Sequence, residues 1–300
     1  MGDVKQGKAK MSVAKRHSLA GWAFLTPAAI MIAAMSFYPM IQAFILSLQS
    51  GKGNNLSWAG LHNYIRMFSD KTFVQSIINN FLYLIIQVPI MLIFALILAS
   101  LLNNRNLKFR GLFRTAIFLP CATSLVSYAT IFRSIFAVEG LINVALVGMG
   151  FLDQGYNFLG NATSARAVII IALIWRWTGY NMVFFLSGLQ NIEYSVYEAA
   201  KIDGATPFQS FRKITVPLLK PTILLTAIMS TNGTLQLFDE SVNLTRGGPA
   251  YSTITMSHYI YETTFKKVPN FGYAAAMSYL ILILVAILAL IQLKVGDSRD

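Results

Sequence analysis

Six long stretches with almost no charged residue dominate this chain. Only 12% of its 300 residues are charged and 55% are hydrophobic, with a mean hydropathy of +0.57. A helix needs about 20 apolar residues to cross the hydrocarbon core of a bilayer. The stretches cover 17–51, 72–104, 115–132, 167–192, 221–238 and 268–293, and the fourth is interrupted only by Arg176. They predict an all-α, polytopic membrane protein with six transmembrane helices, near 18–48, 75–102, 113–136, 166–188, 218–241 and 272–294.

The distribution of basic residues predicts how the chain crosses the membrane. Fifteen Lys and Arg residues fall in the N-terminal segment, the second–third loop, the fourth–fifth loop and the tail, against six in the loops of the other face. The positive-inside rule then places both termini in the cytoplasm. Topology therefore explains the net charge of +12, and no nucleic-acid partner is expected. We predict a basic cytoplasmic segment at 1–17, a single transmembrane domain at 18–294 with an uncleaved first helix, and a cytoplasmic tail at 295–300.

The sequence lacks the motifs of the common catalytic and metal sites. It has no Gly-x-x-x-x-Gly-Lys-Ser/Thr motif, so ATP binding through a P-loop is not expected. His17, His62 and His258 lie far apart, and Cys121 is the single cysteine. These residues predict no metal site, no catalytic site, no disulfide and no cofactor in this chain. The energy for any pumping must come from a partner or from an ion gradient.

A short polar hairpin, at about 190–217, separates the fourth and fifth apolar stretches. Its helix signals are the capping box Ser195-x-x-Glu198, Gly204 as a helix stop, the capping box Thr206-Pro207-x-Gln209 and Pro217 as a helix breaker. Together they predict two short helices joined by a tight turn. A compact helical hairpin at the mouth of a membrane span is well shaped to dock on a soluble partner.

The same hairpin resembles the signature of ABC importer permeases. That signature reads Glu-Ala-Ala, three residues, Gly, nine residues and Ile-x-Leu-Pro, and only Val216 departs from it here. The resemblance implies a coupling loop that fits a cleft on an ATPase subunit. Its coupling residues would be Glu198, Ala199, Ala200, Asp203, Gly204, Ile214 and Pro217. A second departure, Glu193 in place of the usual proline, could shift the start of the first short helix.

Further motifs extend the resemblance over about residues 18–294, to the carbohydrate-uptake branch of the maltose or glycerol-phosphate type. They are Trp22-x-Phe24-Leu25-x-Pro27, Tyr38-Pro39, Gly60-Leu61-x-Asn63-Tyr64, Phe113-Arg114, Phe118-Leu119-Pro120, Trp175-Arg176-Trp177-x-Gly179-Tyr180, Phe238-Asp239-Glu240 and Leu244-Thr245-x-Gly247-Gly248-Pro249. The resemblance implies a type I ABC importer permease fold in a bacterial cytoplasmic membrane. It also implies a heterodimer with a second homologous permease, two ATPase subunits that bind ATP and Mg, and an extracytoplasmic solute-binding protein.

Arg176 is the most costly polar residue within the apolar stretches, because charged side chains at membrane depth need a partner or a cavity. One interpretation is a buried ion pair with Asp239 or Glu240, or a side chain that snorkels to the interface. The other is a hydrogen-bond donor that lines the substrate path. The sequence alone leaves both open.

A polar stripe in the predicted fifth span is the main candidate for that path. Gln236, Asp239 and Asn243 have the spacing i, i+3 and i+7, and Asn232 precedes Gln236 by one helical turn. Amides both donate and accept hydrogen bonds, which suits the hydroxyls of a sugar; the alternative is hydrogen bonding between helices. Weaker candidates are Tyr180 and Asn181 in span four, and Ser124, Ser127 and Tyr128 in span three.

Two residues of the coupling loop also have alternative roles. Glu198 could act as a capping-box partner, as a contact to the ATPase, or as both. Asp203 lies near the end of the first short helix, where a negative charge opposes the helix dipole, so a contact role is favoured.

Two other functional classes compete with an ABC permease. An ion-coupled transporter predicts internal repeats and broken helices around an ion site, and it leaves the Glu-Ala-Ala signature unexplained. An intramembrane enzyme needs a paired catalytic constellation, which is not visible in the sequence. The leading hypothesis is therefore a permease subunit for a sugar or oligosaccharide that works by alternating access, with a separate ATPase.

Overall fold

The structure, a computed structural model, describes residues 13–53, 55–104 and 107–296. Most of the predicted segment 1–17 and of the predicted tail 295–300 therefore lies outside the described residues. The helices of the described part are α1 Val13–Ile32, α2 Tyr38–Ser47, α3 His62–Ser69, α4 Lys71–Leu102, α5 Arg110–Ala122, α6 Leu125–Ile135, α7 Leu141–Gly148, α8 Ala162–Gln190, α9 Tyr194–Ile202, α10 Pro207–Ser210, α11 Val216–Leu218, α12 Lys220–Leu235, α13 Met256–Tyr261 and α14 Phe271–Gly296. Wider π-helical turns occur at Ala33–Phe37, Phe211–Thr215, Glu240–Thr245 and Glu262–Lys266.

A small β-hairpin corrects the prediction of an all-α chain. Strands β1 Gln49–Lys52 and β2 Asn55–Trp58 pair antiparallel, with Gln49 opposite Trp58 and Lys52 opposite Asn55. The hairpin follows α2 directly and lies between apolar stretches, where the sequence predicted only a loop. The rest of the described chain is helical or irregular.

Four helices are long and apolar enough to cross a membrane: His17–Ser47, Lys71–Leu102, Ala162–Gln190 and Phe271–Gly296. Two further candidates are bent pairs. Arg110–Ala122 and Leu125–Ile135 meet at 98°, and Pro207–Leu218 and Lys220–Leu235 meet at 68°. The described chain thus has four spans, or up to six if each bent pair is one span. The predicted helix at 113–136 is broken within its length, and the predicted helix at 218–241 ends at Leu235.

The first break lies at Thr123 and Ser124, between α5 and α6. Both residues have extended backbones, with ψ of 151° and 137°, so neither can continue a helix. The Thr123 hydroxyl donates to the carbonyl of Pro120 at 2.7 Å, which closes the end of α5 locally. The second break shortens the span that was predicted at 218–241. Helix α12 stops at Leu235, and regular structure resumes only at the π-helical turn Glu240–Thr245.

Helices α4 and α8 pack together at the centre of the fold, and α5 and α12 contact both. Apolar clusters cover most of these contacts, among them a cluster of Ala95, Ala99, Met182 and Phe185 between α4 and α8. Helix α5 approaches α8 closely at Gly179, where a Cβ atom would lie 2.0 Å from the carbonyl oxygen of Ile117. The first helix is peripheral: its most apolar window is wholly exposed, and α2 packs on α14.

Asn80 ties α4 to two distant segments. Its amide nitrogen donates to the carbonyls of Thr234 and Leu235 at 2.8 and 3.0 Å, and its amide oxygen accepts from the backbone of Met256 at 3.0 Å. These groups lie at the end of α12 and the start of α13, where helical hydrogen bonds are missing. A buried amide therefore bonds to the Leu235 carbonyl and the Met256 amide at the chain break, and it adds to the bond that the Thr234 carbonyl accepts from the backbone of Leu237.

A carboxylate at the start of α4 joins helices at the end of α4 that is remote from the polar hairpin at about 190–217. Asp70 caps α4 by accepting from the backbone amides of Thr72 and Phe73, at 3.0 and 3.2 Å. It also accepts from the hydroxyls of Tyr259 and Tyr273, at 2.6 and 2.9 Å. Burial alone would raise the pKa of the Asp70 carboxyl, but these hydrogen bonds outweigh it and lower the pKa below its ordinary value.

Substitution Asp70→Asn should lower the melting temperature at neutral pH, because hydrogen bonds to a charged group contribute about 1.5–3 kcal/mol. A depressed folded-state pKa gives stability that is present above the unfolded pKa and is lost as pH falls through the folded pKa. The difference between wild type and mutant should therefore shrink below about pH 4. Thermal melting of the detergent-solubilised chain from pH 7 to pH 3 measures this. Asp153→Asn, at an exposed carboxylate, is the matched control, and a difference that stays constant with pH contradicts the ionised-cap interpretation.

Candidate functional site

The polar hairpin folds as two short helices around a tight turn. Gly204 has a φ of +78°, and the amide of Ala205 bonds to the carbonyl of Ala200 at 2.9 Å. Thr206 and Gln209 form the predicted capping box, in which the Gln209 amide bonds to the Thr206 hydroxyl at 3.3 Å and the Thr206 amide to the Gln209 side chain at 2.8 Å. The predicted helix stop and the second capping box are therefore confirmed.

The prediction of a first capping box, at Ser195 and Glu198, is wrong. Helix α9 begins at Tyr194, and its N-cap is Glu193, whose side chain makes no capping bond. Glu193 has φ −62° and ψ 134°, an extended backbone, and the helix starts immediately after it. Ser195 thus lies within the first turn, and its hydroxyl donates to the Glu193 carboxylate at 3.3 Å.

The return arm of the hairpin bends strongly. Pro217 lies in α11, and the 68° bend to α12 falls at Leu219, two residues later. The Tyr197 hydroxyl lies 3.0 Å from that of Thr215, which joins α9 to the return arm. Ile214 is half-buried and Pro217 is exposed. The hairpin is therefore a braced unit with its own bend rather than a flexible loop.

The hairpin tip exposes both polar and apolar side chains. Glu198, Ala199, Asp203 and Gly204 are exposed, and Ala200 is buried. Two large apolar residues that the sequence reasoning missed are also exposed, Ile202 to 86% and Phe208 to 70%. The sequence could have indicated their exposure, since both are apolar residues within a short polar segment. Such a mixed apolar and acidic tip is suited to a protein cleft.

A cavity of about 300 Å³ lies between α4, α8 and the segment that follows α12. Its polar and aromatic lining residues are Gln87, Trp177, Tyr180, Asn181, Ser230, Thr234, Gln236, Phe238, Asp239 and Glu240. Four predicted path residues, Tyr180, Asn181, Gln236 and Asp239, therefore come together here. No Lys, Arg or His is among the residues that line this cavity, so its two carboxylates are without a basic neighbour in the wall.

The predicted polar stripe does not exist as one helical face. Helix α12 ends at Leu235, and Gln236 already has non-helical torsions, so Asp239 and Asn243 do not continue the same face. Asn232 lines a neighbouring cavity, together with Gln236 and Ser257, and the Gln236 side chain donates to the Asn232 side chain. Asp239 lines the 300 Å³ cavity because the chain leaves the helix after Leu235, not because it shares a helical face with Gln236.

Arg176 stabilises the break between α5 and α6. The side chain is buried, with 5% exposure, and its guanidinium donates to the carbonyls of Pro120, Cys121 and Thr123 at 3.1, 3.3 and 3.0 Å. Within the part of the chain that the structure describes, no ion pair joins Arg176 to Asp239 or Glu240. The predicted ion pair is therefore wrong, and Arg176 is also not among the residues that line the 300 Å³ cavity.

Tyr128 and Ser124 lie beside Arg176 at the same break. Tyr128 is buried, and the Arg176 guanidinium lies 4.9 Å from the centre of its ring, within the range of a cation–π contact. Ser124 is exposed at the N-cap of α6. Neither residue lines the 300 Å³ cavity.

The amides of α4 are the functional neighbours that the sequence reasoning missed. Gln87 lines the cavity and accepts from the Thr234 hydroxyl at 3.2 Å. Asn79 donates to the carbonyl of Ile254 at 2.8 Å. The signal was present, since amides within a charge-free apolar stretch are costly and therefore need a partner.

Comparison with known proteins agrees with this architecture. The family model described as "Binding-protein-dependent transport system inner membrane component" matches residues 58–297. The lactose transport system permease protein LacF of Rhizobium radiobacter is 46% identical over 292 residues, covering 97% of this chain and 98% of that protein. The arabinooligosaccharides transport system permease protein AraP of Bacillus subtilis is 34% identical, covering 93% and 89%.

The fold has a close structural neighbour as well. A chain of the crystal structure of a bacterial ABC transporter involved in the import of the acidic polysaccharide alginate superposes with a TM-score of 0.83. It shares 23% sequence identity and covers 95% of this chain and 97% of that chain, which supports the fold. This chain is thus a member of the family of binding-protein-dependent transport system inner membrane components.

Proposed function

We propose that this chain is a permease subunit of an ATP-binding-cassette importer that moves a sugar or oligosaccharide across a bacterial cytoplasmic membrane. It would pair with a second homologous permease, receive its substrate from an extracytoplasmic solute-binding protein, and be driven by two ATPase subunits that bind ATP and Mg. The chain itself would not hydrolyse ATP. The observation that carries the substrate part is the polar, aromatic cavity beside Gln236 and Asp239.

The composition of that cavity supports a neutral sugar. Small-molecule sites combine apolar and aromatic walls with a few polar groups that fix orientation. Trp177, Tyr180 and Phe238 provide aromatic walls, and Asn181 and Gln236 provide amides. Asp239 adds an acceptor for hydroxyl groups but would repel a carboxylated sugar, whereas Glu240 is almost fully buried. The relatives named for lactose and arabinooligosaccharide transport point to the same class of substrate.

The exposed hairpin supports the ATPase part of the proposal. Its tip presents Ile202 and Phe208 beside the carboxylates of Glu198 and Asp203. An apolar pair of this kind would be buried in a cleft of a soluble subunit, and the carboxylates would meet polar or basic groups around it. The coupling residues Ala199, Ala200, Ile214 and Pro217 would then hold the hairpin in its docking shape.

Substitution Gly204→Val should abolish or strongly reduce transport while leaving membrane insertion intact. A Cβ at Gly204 meets no atom within 4 Å, so the whole effect comes from the φ of +78°, which a β-branched residue adopts at a cost of about 1–2 kcal/mol. Uptake and co-purification of the ATPase would be measured together.

Matched variants separate backbone strain from added bulk. Gly111→Val adds the same side chain where a Cβ also meets nothing within 4 Å and no positive φ occurs, so it should be tolerated. Gly204→Asn should retain more transport than Gly204→Val, because asparagine tolerates left-handed torsions. Wild-type uptake and wild-type ATPase association in Gly204→Val would contradict the coupling-loop role.

Substitution Gln236→Ala should weaken uptake without loss of the assembled complex. The side chain is exposed and donates to the Asn232 side chain, so its loss removes little packing. A lost hydrogen bond to a neutral hydroxyl is worth about 0.5–1.5 kcal/mol, which is about a 2- to 12-fold loss of apparent affinity. Uptake kinetics and the amount of assembled complex would be measured in the same cells.

Gln154→Ala is the control for Gln236→Ala, since it removes an exposed amide in the loop before α8, outside both the cavity and the hairpin. It should leave uptake unchanged. A packing role for Gln236 predicts the reverse pattern, with poor assembly and normal affinity in the complex that remains. Unchanged uptake in Gln236→Ala would remove this residue from the substrate path.

A further inference from the structure

A second, larger cavity lies at the other end of α4. It encloses about 820 Å³ between the last turns of α4, the start of α5, the end of α8 and the polar hairpin. We call it the arginine cavity, because Arg110 and Arg114 are the basic residues that line it. It is distinct from the 300 Å³ cavity, with which it shares no lining residue.

The arginine cavity holds positive charge without a counter-ion. No Asp or Glu is among the residues that line it. Arg114 donates from Nη2 to the carbonyl of Leu102 at 2.9 Å, and its Nε is buried without a hydrogen-bond partner. Arg110 is exposed, and among the described residues its side chain forms no ion pair or hydrogen bond. Two guanidinium groups that have unused donors and no carboxylate partner favour an anion with several acceptor oxygens, such as a phosphate.

An apolar track leads from the arginine cavity along the membrane helix. Ile90, Ile93, Ile97 and Leu101 of α4 are all exposed, and their spacing of i, i+3, i+7 and i+11 places them on one helical face. Ile97 and Leu101 also line the cavity. The exposed face is therefore continuous with the cavity, and it would hold a hydrocarbon chain attached to the anion.

We propose that the arginine cavity binds the headgroup of an anionic phospholipid, with its phosphate between Arg110 and Arg114 and one acyl chain along the α4 track. Basic pockets between helices at the cytoplasmic side of a membrane are known sites for anionic headgroups. A volume of 820 Å³ is far larger than an inorganic phosphate requires, and the apolar track distinguishes a lipid from a soluble anion. The inference requires only that α4 spans the membrane, so it does not depend on sugar transport.

The test uses the full-length chain, purified with the subunits that assemble with it and reconstituted in nanodiscs of phosphatidylcholine with one fifth phosphatidylglycerol. Native mass spectrometry measures the phosphatidylglycerol retained relative to phosphatidylcholine. The wild type should retain phosphatidylglycerol preferentially. Arg110→Gln and Arg114→Gln should each reduce that preference about fivefold, as expected for one basic residue near an anionic headgroup.

Control variants separate this site from general surface charge. Arg212→Gln and Lys213→Gln remove exposed charges from the same hairpin at positions that do not line the cavity, and they should leave retention unchanged. Arg114→Lys keeps the charge and should keep part of the preference. If Arg114→Gln is unstable because the bond to Leu102 is lost, Arg110→Gln still tests the proposal, since Arg110 makes no such bond.

Three results would overturn the proposal. Equal loss of retention in the control variants would assign the effect to general surface charge. Competition by millimolar glycerol 1-phosphate, with no preference for phosphatidylglycerol over phosphatidylcholine, would assign the site to a soluble phosphate. Loss of ATPase association in Arg110→Gln with unchanged lipid retention would assign the cavity to a protein contact. Intact sugar uptake with lost lipid preference, by contrast, supports the site and leaves the transport function untouched.

Discussion

The hydrogen bonds from Arg176 to the carbonyls at the end of α5 are the interaction on which the core of this protein depends. Backbone groups within a bilayer must be satisfied by the protein itself, so a broken helix is possible only where side chains replace the missing bonds. The 98° bend between α5 and α6 opens three carbonyls, and one guanidinium on α8 satisfies them. The buried Arg176 guanidinium therefore stabilises a bend by bonding to backbone carbonyls, and it does not pair with a carboxylate among the described residues.

The same principle shapes the second break, at the end of α12. Asn80 on α4 satisfies the carbonyls of Thr234 and Leu235, so the chain can leave the helix at Gln236. The released segment then carries Asp239 and Glu240 to the wall of the 300 Å³ cavity. In both places a buried polar side chain on a central helix supports a break in its neighbour, and the segment after the second break forms part of the wall of the polar cavity.

Apart from the Ser195–Glu198 capping box, the sequence predicts the features whose causes are local and misses those whose causes are distant. Gly204 and the Thr206–Gln209 capping box were predictable because each acts on residues within one turn of itself. The breaks after α5 and α12 were not, because their support comes from Arg176 and Asn80, which are 53 and 154 residues away along the chain. The carboxylate partner of Arg176 was predicted wrongly for the same reason. Backbone carbonyls at a bend compete with carboxylates for the guanidinium, and the spacing of residues in the sequence does not reveal the bend.

The geometry also suggests how the hairpin and the substrate cavity communicate. The hairpin connects α8 to α12, and both helices line the cavity, through Asn181 and Ser230 at its wall. Asn181 lies nine residues before the end of α8, or about 14 Å along a helix. The last turns of α8 therefore connect the hairpin to the cavity over a short distance. The other arm has its bend at Leu219. A force on the hairpin would thus reach the cavity through one straight helix and one hinged helix. Such unequal arms would change the shape of the cavity rather than translate it as a unit.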